Sequence, residues 1–140
     1  MSERPARTCD VLVIGGGPGG SAVATFLAQA GLEVVLVEKD THPRFHIGES
    51  LLPHSLPILA RLGVLDRVRG IGMFKPGAEF VSQDGTKNPV YLFERALDGG
   101  PDHAYQVRRA EFDQILFERA RAAGALGVVG APAAVERCDD

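Results

Sequence analysis

Val11-Leu12-Val13-Ile14-Gly15-Gly16-Gly17-Pro18-Gly19-Gly20 sets an apolar run against a run in which every residue but Pro18 is glycine. The apolar part, which follows Asp10, has the pattern of a strand buried on both faces of a parallel sheet. Beyond the glycines, Val23, Phe26, Leu27 and Ala30 recur at helical spacing, and Gly31 stands where a left-handed residue would close that helix. A second apolar run, Leu32 to Val37, follows at once and stops at Glu38-Lys39-Asp40. Strand, glycine turn, helix and strand make a βαβ unit, whose crossover to a parallel neighbour is right-handed.

The glycines satisfy G-x-G-x-x-G at Gly15, Gly17 and Gly20, with Pro18 and Gly19 inside the turn. In this motif the first glycine permits the tight turn, the second lets the backbone approach a pyrophosphate, and the third lets helix and strand pack closely. The free N–H groups and positive end of the helix then face the phosphates. A phosphate-binding P-loop needs Lys after the closing glycine, and Ser21 stands there, which argues against a Walker-type site. Glu38 lies 18 residues beyond Gly20, where a carboxylate can accept hydrogen bonds from an adenosine ribose and disfavour a 2′-phosphate. Taken alone, Glu38 reads as a solvated strand-end carboxylate; with the glycine turn it predicts a dinucleotide site. The motif does not separate FAD from NAD.

Outward from this unit, Thr41 to Ser50 reads as a polar loop, and Leu52, Leu56, Leu59 and Leu62 form the apolar stripe of a helix that Gly63 stops. Val64 to Gly70 adds helical turns. Short strands are expected at Phe80 to Ser82 and Val90 to Phe93 around the turn Gln83-Asp84-Gly85-Thr86, and at Tyr105 to Arg108, with a loop at Asp98 to Pro101. Ala110 to Ala123 reads as a helix with Phe112, Ile115, Leu116 and Ala120 inward, and Leu126 to Val129 returns to the sheet. The fold class expected is α/β: an incomplete Rossmann-like, doubly wound and mainly parallel sheet, with a β-containing excursion near residues 72–108.

At 140 residues, 45% apolar and 24% charged, the composition is that of one soluble globular domain or part of one, and excludes disordered and collagen-like chains. A chain this size buries roughly 68–70% of its unfolded surface, so its core requires no metal or disulfide. With 15 Lys plus Arg against 18 Asp plus Glu and no basic block, no footprint for nucleic acid or an anionic membrane is present. No apolar run reaches the ~18 residues of a membrane span, and Met1 to Cys9 lacks the apolar stretch of a signal peptide, so a cytoplasmic location is expected. Cys9 and Cys138 are read as reduced structural thiols. The scattered His42, His46, His54 and His103 predict no metal site, and no nucleophilic motif supports covalent hydrolysis.

Glu38-Lys39, then Pro43-Arg44-Phe45-His46-Ile47-Gly48-Glu49-Ser50-Leu51-Leu52-Pro53, resembles the flavin-dependent halogenases, especially those acting on phenolic and pyrrolic rings. The resemblance continues through Phe74-Lys75-Pro76, Ala78 to Val81 and Gln106-Val107-Arg108-Arg109 with Glu111-Phe112-Asp113. The glycine turn and the Arg-x-x-Phe-Asp helix are shared with flavoprotein monooxygenases and prenyl reductases; the Gly-Glu-Ser loop and Lys75 are more particular to halogenases. The resemblance implies that Gly15, Gly17, Pro18, Gly19 and Gly20 cradle the FAD pyrophosphate. It further implies that Glu38 takes the ribose, that Lys39, Arg44 and Arg109 are cofactor-binding, and that Gly48, Glu49 and Ser50 lie beside the flavin ring. Read from their residue types alone, Gly48 is a turn and Glu49 and Ser50 are surface residues starting a helix.

Lys75 matches the lysine set between flavin and substrate in that family. There, reduced FAD and oxygen form a C4a-hydroperoxide, halide attacks it to give hypohalous acid, and the lysine captures or directs the oxidant toward an electron-rich aromatic ring. The implied partners are halide, oxygen, a small-molecule or carrier-tethered aromatic and a separate flavin reductase. Without the resemblance Lys75 is a solvated side chain. Aromatic hydroxylase and prenyl reductase chemistry are the alternatives. Family members are longer, and neither a later Gly-Asp motif for the ribityl chain nor a Trp-containing signature is found here, so an amino-terminal fragment, inactive by itself, is also expected.

Overall fold

The computed structural model describes residues 8–96 and 99–136. Its elements are β1 Val11–Ile14, α1 Pro18–Gln29, β2 Val34–Glu38, α2 Ser55–Leu62, α3 Leu65–Ile71, β3 Met73–Lys75, β4 Gly77–Glu79, β5 Val90–Leu92, a 3-10 turn Phe93–Arg95, β6 Ala104–Gln106, α4 Arg109–Ala122 and β7 Leu126–Val129. Asp98, Cys138 and the residues before Thr8 lie outside the described residues. The chain falls into two compact units, one running up to Arg44 and resuming at Leu116, the other Phe45–Ile115.

In the first unit β1, β2 and β7 form a parallel sheet in the order β1-β2-β7, with Val11 opposite Val34 and Val35 opposite Leu126. Side chains alternate across β2, so Val34, Leu36 and Glu38 share one face and all three are buried. Ala24 of α1 and Phe117 and Ala120 of α4 complete that core. The fully buried residues of α1 are Ser21, Ala24 and Thr25; of the expected apolar stripe Leu27 packs against the core partly buried, while Val23 is half exposed. The cause is close approach at the glycine turn, which only small side chains allow. Ser21 Oγ donates to the Gly16 carbonyl (3.1 Å) and Thr25 Oγ1 to the Ser21 carbonyl (2.7 Å), so both buried hydroxyls are satisfied. The expectation that β1 is buried on both faces is corrected: Leu12 and Ile14 stand half exposed, while Val13 packs on the core.

The second unit holds α2 and α3 and two small antiparallel sheets, β3 with β6 and β4 with β5. Leu56, Leu59 and Leu62 are buried as their spacing predicts, but Leu52 lies ahead of the helix and is exposed, since Pro53 separates it from the first turn. The expected strand at Phe80 to Ser82 is displaced to β4, Gly77–Glu79. Phe80 and Ser82 do donate across to the Pro89 and Lys87 carbonyls, but Pro89 has no N–H to return and the regular ladder ends there. The strand expected at Tyr105 to Arg108 is β6, Ala104–Gln106, and Phe93 opens the 3-10 turn instead of ending a strand. On α4 the expected inward residues Phe112, Ile115, Leu116 and Ala120 are all buried.

Candidate functional site

In the first unit the alternation of β2 brings Glu38 under the glycine turn as a buried carboxylate, 4% exposed, not a solvated one. Its Oε2 accepts the Gly16 N–H (2.7 Å) and an Arg44 guanidinium N–H (3.3 Å), and its Oε1 accepts the Asp40 N–H (3.0 Å). Burial opposes its charge, but the Asp40 and Gly16 N–H groups, then Arg44 and His42, outweigh burial and hold the carboxyl below its ordinary value of 4.5. A carboxylate offers about four acceptor sites, and these three bonds leave capacity for one more donor.

This lowered pKa fixes a pH dependence. The stabilisation from the ionised Glu38 is fully present above the unfolded value near 4.5 and disappears as pH falls through the lower folded value. Glu38→Gln is therefore expected to unfold more easily than wild type at pH 7, by about 1.5–3 kcal/mol for the lost charge-assisted bonds. The difference should close on acidification, as urea denaturation at a series of pH values would show; a gap that stays constant would contradict the bracing role.

The glycines divide by what the fold itself requires. Gly15 has φ +106°, and a Cβ on Gly16 would lie 2.8 Å from the Phe117 ring and 2.9 Å from Glu38 Cβ. A Cβ on Gly20 would overlap the Gly15 carbonyl oxygen. Gly17 and Gly19, by contrast, are not needed by packing among the described residues: the nearest atom to a Cβ on Gly17 is Arg44 Nη2 at 3.5 Å, and none of them lies within 4 Å at Gly19. The α1 N-terminus has Gly17 as N-cap with no side-chain capping bond, Pro18 in its first turn and no acidic residue there. Side-chain-free backbone, uncapped helix N–H groups and the Arg44 guanidinium suit a bound pyrophosphate. Lys39 is exposed beside Glu38.

In the second unit, residues 49–51 lie along β6. Val107 N–H donates to the Glu49 carbonyl (2.8 Å), Leu51 N–H to the Tyr105 carbonyl (2.9 Å), and Ser50 bridges to Gln106. On the other side of β6, Lys75 of β3 pairs with Ala104. Lys75 Nζ donates to Ser50 Oγ (2.6 Å) and to the Leu51 carbonyl (3.2 Å), and stands 5.3 Å from the centre of the Phe93 ring. Arg109 makes a two-point ion pair with fully buried Asp113 (2.8 and 3.0 Å) and donates through Nη1 to the Ile47 carbonyl (2.8 Å). Gly48, at φ +95°, lies against that guanidinium, with a Cβ placed 3.1 Å from Nη1. Arg109 thus anchors the approach to the Gly-Glu-Ser loop, and Glu49 is exposed.

Sequence reasoning passed over Gly16, Asp113 and the Ser50–Lys75 bond. Gly16 occupies a free position of the motif and carried no signal. Asp113 had one, its i, i+4 spacing from Arg109 on a helix.

A parallel βαβ unit with an open glycine turn at a helix N-terminus and a braced acidic residue ending the next strand defines a dinucleotide-binding domain. The sequence profile of the FAD binding domain family matches residues 8–131, and the chain belongs to that family, with FAD as its cofactor. It is 46% identical over 127 residues to the flavin-dependent halogenase armH3 of Armillaria mellea, an alignment covering 89% of this chain and 24% of that protein. It is 36% identical over 133 residues to the 1H-pyrrole-2-carbonyl-peptidyl-carrier protein chlorinase of Pseudomonas fluorescens, covering 83% of this chain and 30% of that one. Among solved structures, the myxobacterial chondrochloren halogenase CndH superposes with TM-score 0.80 at 36% identity, over 89% of this chain and 29% of its own. The chain therefore spans about a quarter to a third of the length of these relatives. Among the described residues no helix is long and apolar enough to cross a membrane.

Proposed function

We propose that these residues form the FAD-binding part of a flavin-dependent halogenase acting on an electron-rich aromatic, free or tethered to a carrier protein. The observation that carries the reading is the bond between Lys75 and Ser50, the two places where the sequence is most particular to halogenases. Halogenase relatives, one of them named for a carrier-bound pyrrole, support the substrate class.

Gly17, Pro18, Gly19 and the N-terminus of α1 are read as holding the pyrophosphate, Arg44 as offsetting its charge, and the remaining acceptor capacity of Glu38 as serving the ribose. Gly48, Glu49 and Ser50 border the flavin, and Arg109 acts on it through the loop that it anchors. Bound FAD, reduced by a separate reductase in the cytoplasm, would supply two of the four electrons that O₂ takes up, halide giving the other two: FADH₂ + O₂ + X⁻ + ArH + H⁺ gives FAD + ArX + 2 H₂O. Lys75 holds hypohalous acid by an N–H bond and directs its halogen to the ring carbon, which loses its proton.

The test supplies the full-length protein with FAD, a reductase, oxygen, bromide and a phenolic or pyrrolic substrate, and weighs the products. A brominated product, recognised by its two-line isotope pattern, is expected. An oxygen-inserted product without bromine would overturn the reading in favour of an aromatic hydroxylase.

A further inference from the structure

The register of the β3–β6 sheet places Lys75 and Ser50 with unusual definition. Lys75 faces Ala104 and Ser50 faces Gln106, and residues two apart on β6 point to the same side, so all four lie on one face. The lysine chain must cross β6 to reach Ser50 on its far side. Ala104, buried with only a methyl group, leaves that path open.

We infer that Ser50 is the positioning residue that fixes the working end of Lys75. Of the three N–H donors of a lysine, Ser50 Oγ and the Leu51 carbonyl engage two, leaving one for an incoming acceptor. The Leu51 carbonyl is backbone, already held by the pairing of Leu51 with Tyr105, so among the described residues the hydroxyl is the one side-chain hydrogen-bond acceptor that sets the direction of the third N–H. A neutral hydroxyl also suits this place better than a carboxylate. It accepts from an ammonium and can equally donate to a free amine, whereas a carboxylate would lock the lysine in an ion pair. This inference rests on the proposed role of Lys75 and adds to it a partner that acts through the lysine.

The test uses the full-length protein and its Ser50→Ala, Ser50→Thr and Lys75→Ala variants. Acetic anhydride labelling of Lys75, followed by mass spectrometry with the exposed Lys87 as internal reference, reads the hold on the amine without any turnover. Ser50→Ala is expected to speed labelling of Lys75 and lower kcat for halogenation by about tenfold each, the weight of one hydrogen bond to a charged group, with KM for the aromatic unchanged. Ser50→Thr, which keeps the hydroxyl, should restore both. Unchanged labelling in Ser50→Ala would overturn the inference, and a loss of FAD affinity with labelling unchanged would make Ser50 a cofactor contact instead. Faster labelling with full halogenation, while Lys75→Ala is inactive, would show that the bond exists without serving the chemistry. Full halogenation by Lys75→Ala would instead remove the reading on which the inference stands.

Discussion

Lys75→Ala in the full-length protein is expected to cut aromatic halogenation by about 10²–10⁴-fold, the range lost when a positioned proton donor is removed from a reacting group. FAD binding should be affected far less, because the lysine bonds to Ser50 and Leu51 and has no part in the pyrophosphate contacts proposed for Gly17, Pro18, Gly19 and Arg44. Lys75→Arg should rescue little. A guanidinium is a planar fork that cannot present a single N–H from the end of a chain laid across Ala104, and it cannot carry halogen as an amine does. Product yield per FAD oxidised is the measurement. Halogenation undiminished in Lys75→Ala would return the lysine to a plain sheet-surface residue while leaving the FAD assignment standing.

What could be read from the sequence was whatever depends on short spacing. β1 was legible there, as were α1, α2 and α4 to within a few residues and the inward row of α4, because periodic apolar residues and helix-ending glycines act over one or two turns. The buried face of α1 was not, because there close packing against the glycine turn selects Ser21, Ala24 and Thr25 by size, and a search for apolar residues overlooks them. The burial of Glu38 needed the parity of β2, which carries the residue to the Leu36 side of the sheet. The displacement of β4 depended on a single missing N–H at Pro89. The Ser50–Lys75 bond lay furthest from view: the two are brought together only by a third segment, β6, whose register nothing in residues 50 or 75 announces. A shared family pattern pointed to both residues without giving the reason they belong together.

Gly17→Val should weaken FAD binding by about a hundredfold, the upper end of what forced overpacking costs, while leaving the FAD-free protein folded. The two halves of this expectation come from different features. Gly17 has φ −75° and ψ −173°, extended backbone that valine adopts readily, and its Cβ would meet only Arg44 Nη2 at an ordinary 3.5 Å. Packing among the described residues thus gives no reason for glycine there, and the proposed reason is a pyrophosphate that approaches the backbone. Gly20→Val is the contrasting case: its Cβ would overlap the Gly15 carbonyl oxygen and press on Val13, so the pairing of α1 with β1 is lost whether or not FAD is present. Thermal unfolding of both variants without FAD, with flavin titration of whichever stays folded, separates the two roles. A Gly17→Val protein that binds FAD like wild type would show that the pyrophosphate does not pass over this turn, and a Gly20→Val protein of normal stability would show that α1 can retreat from β1. On the expected outcomes the motif's three glycines differ in kind: Gly15 and Gly20 make the turn possible, and Gly17 keeps it open.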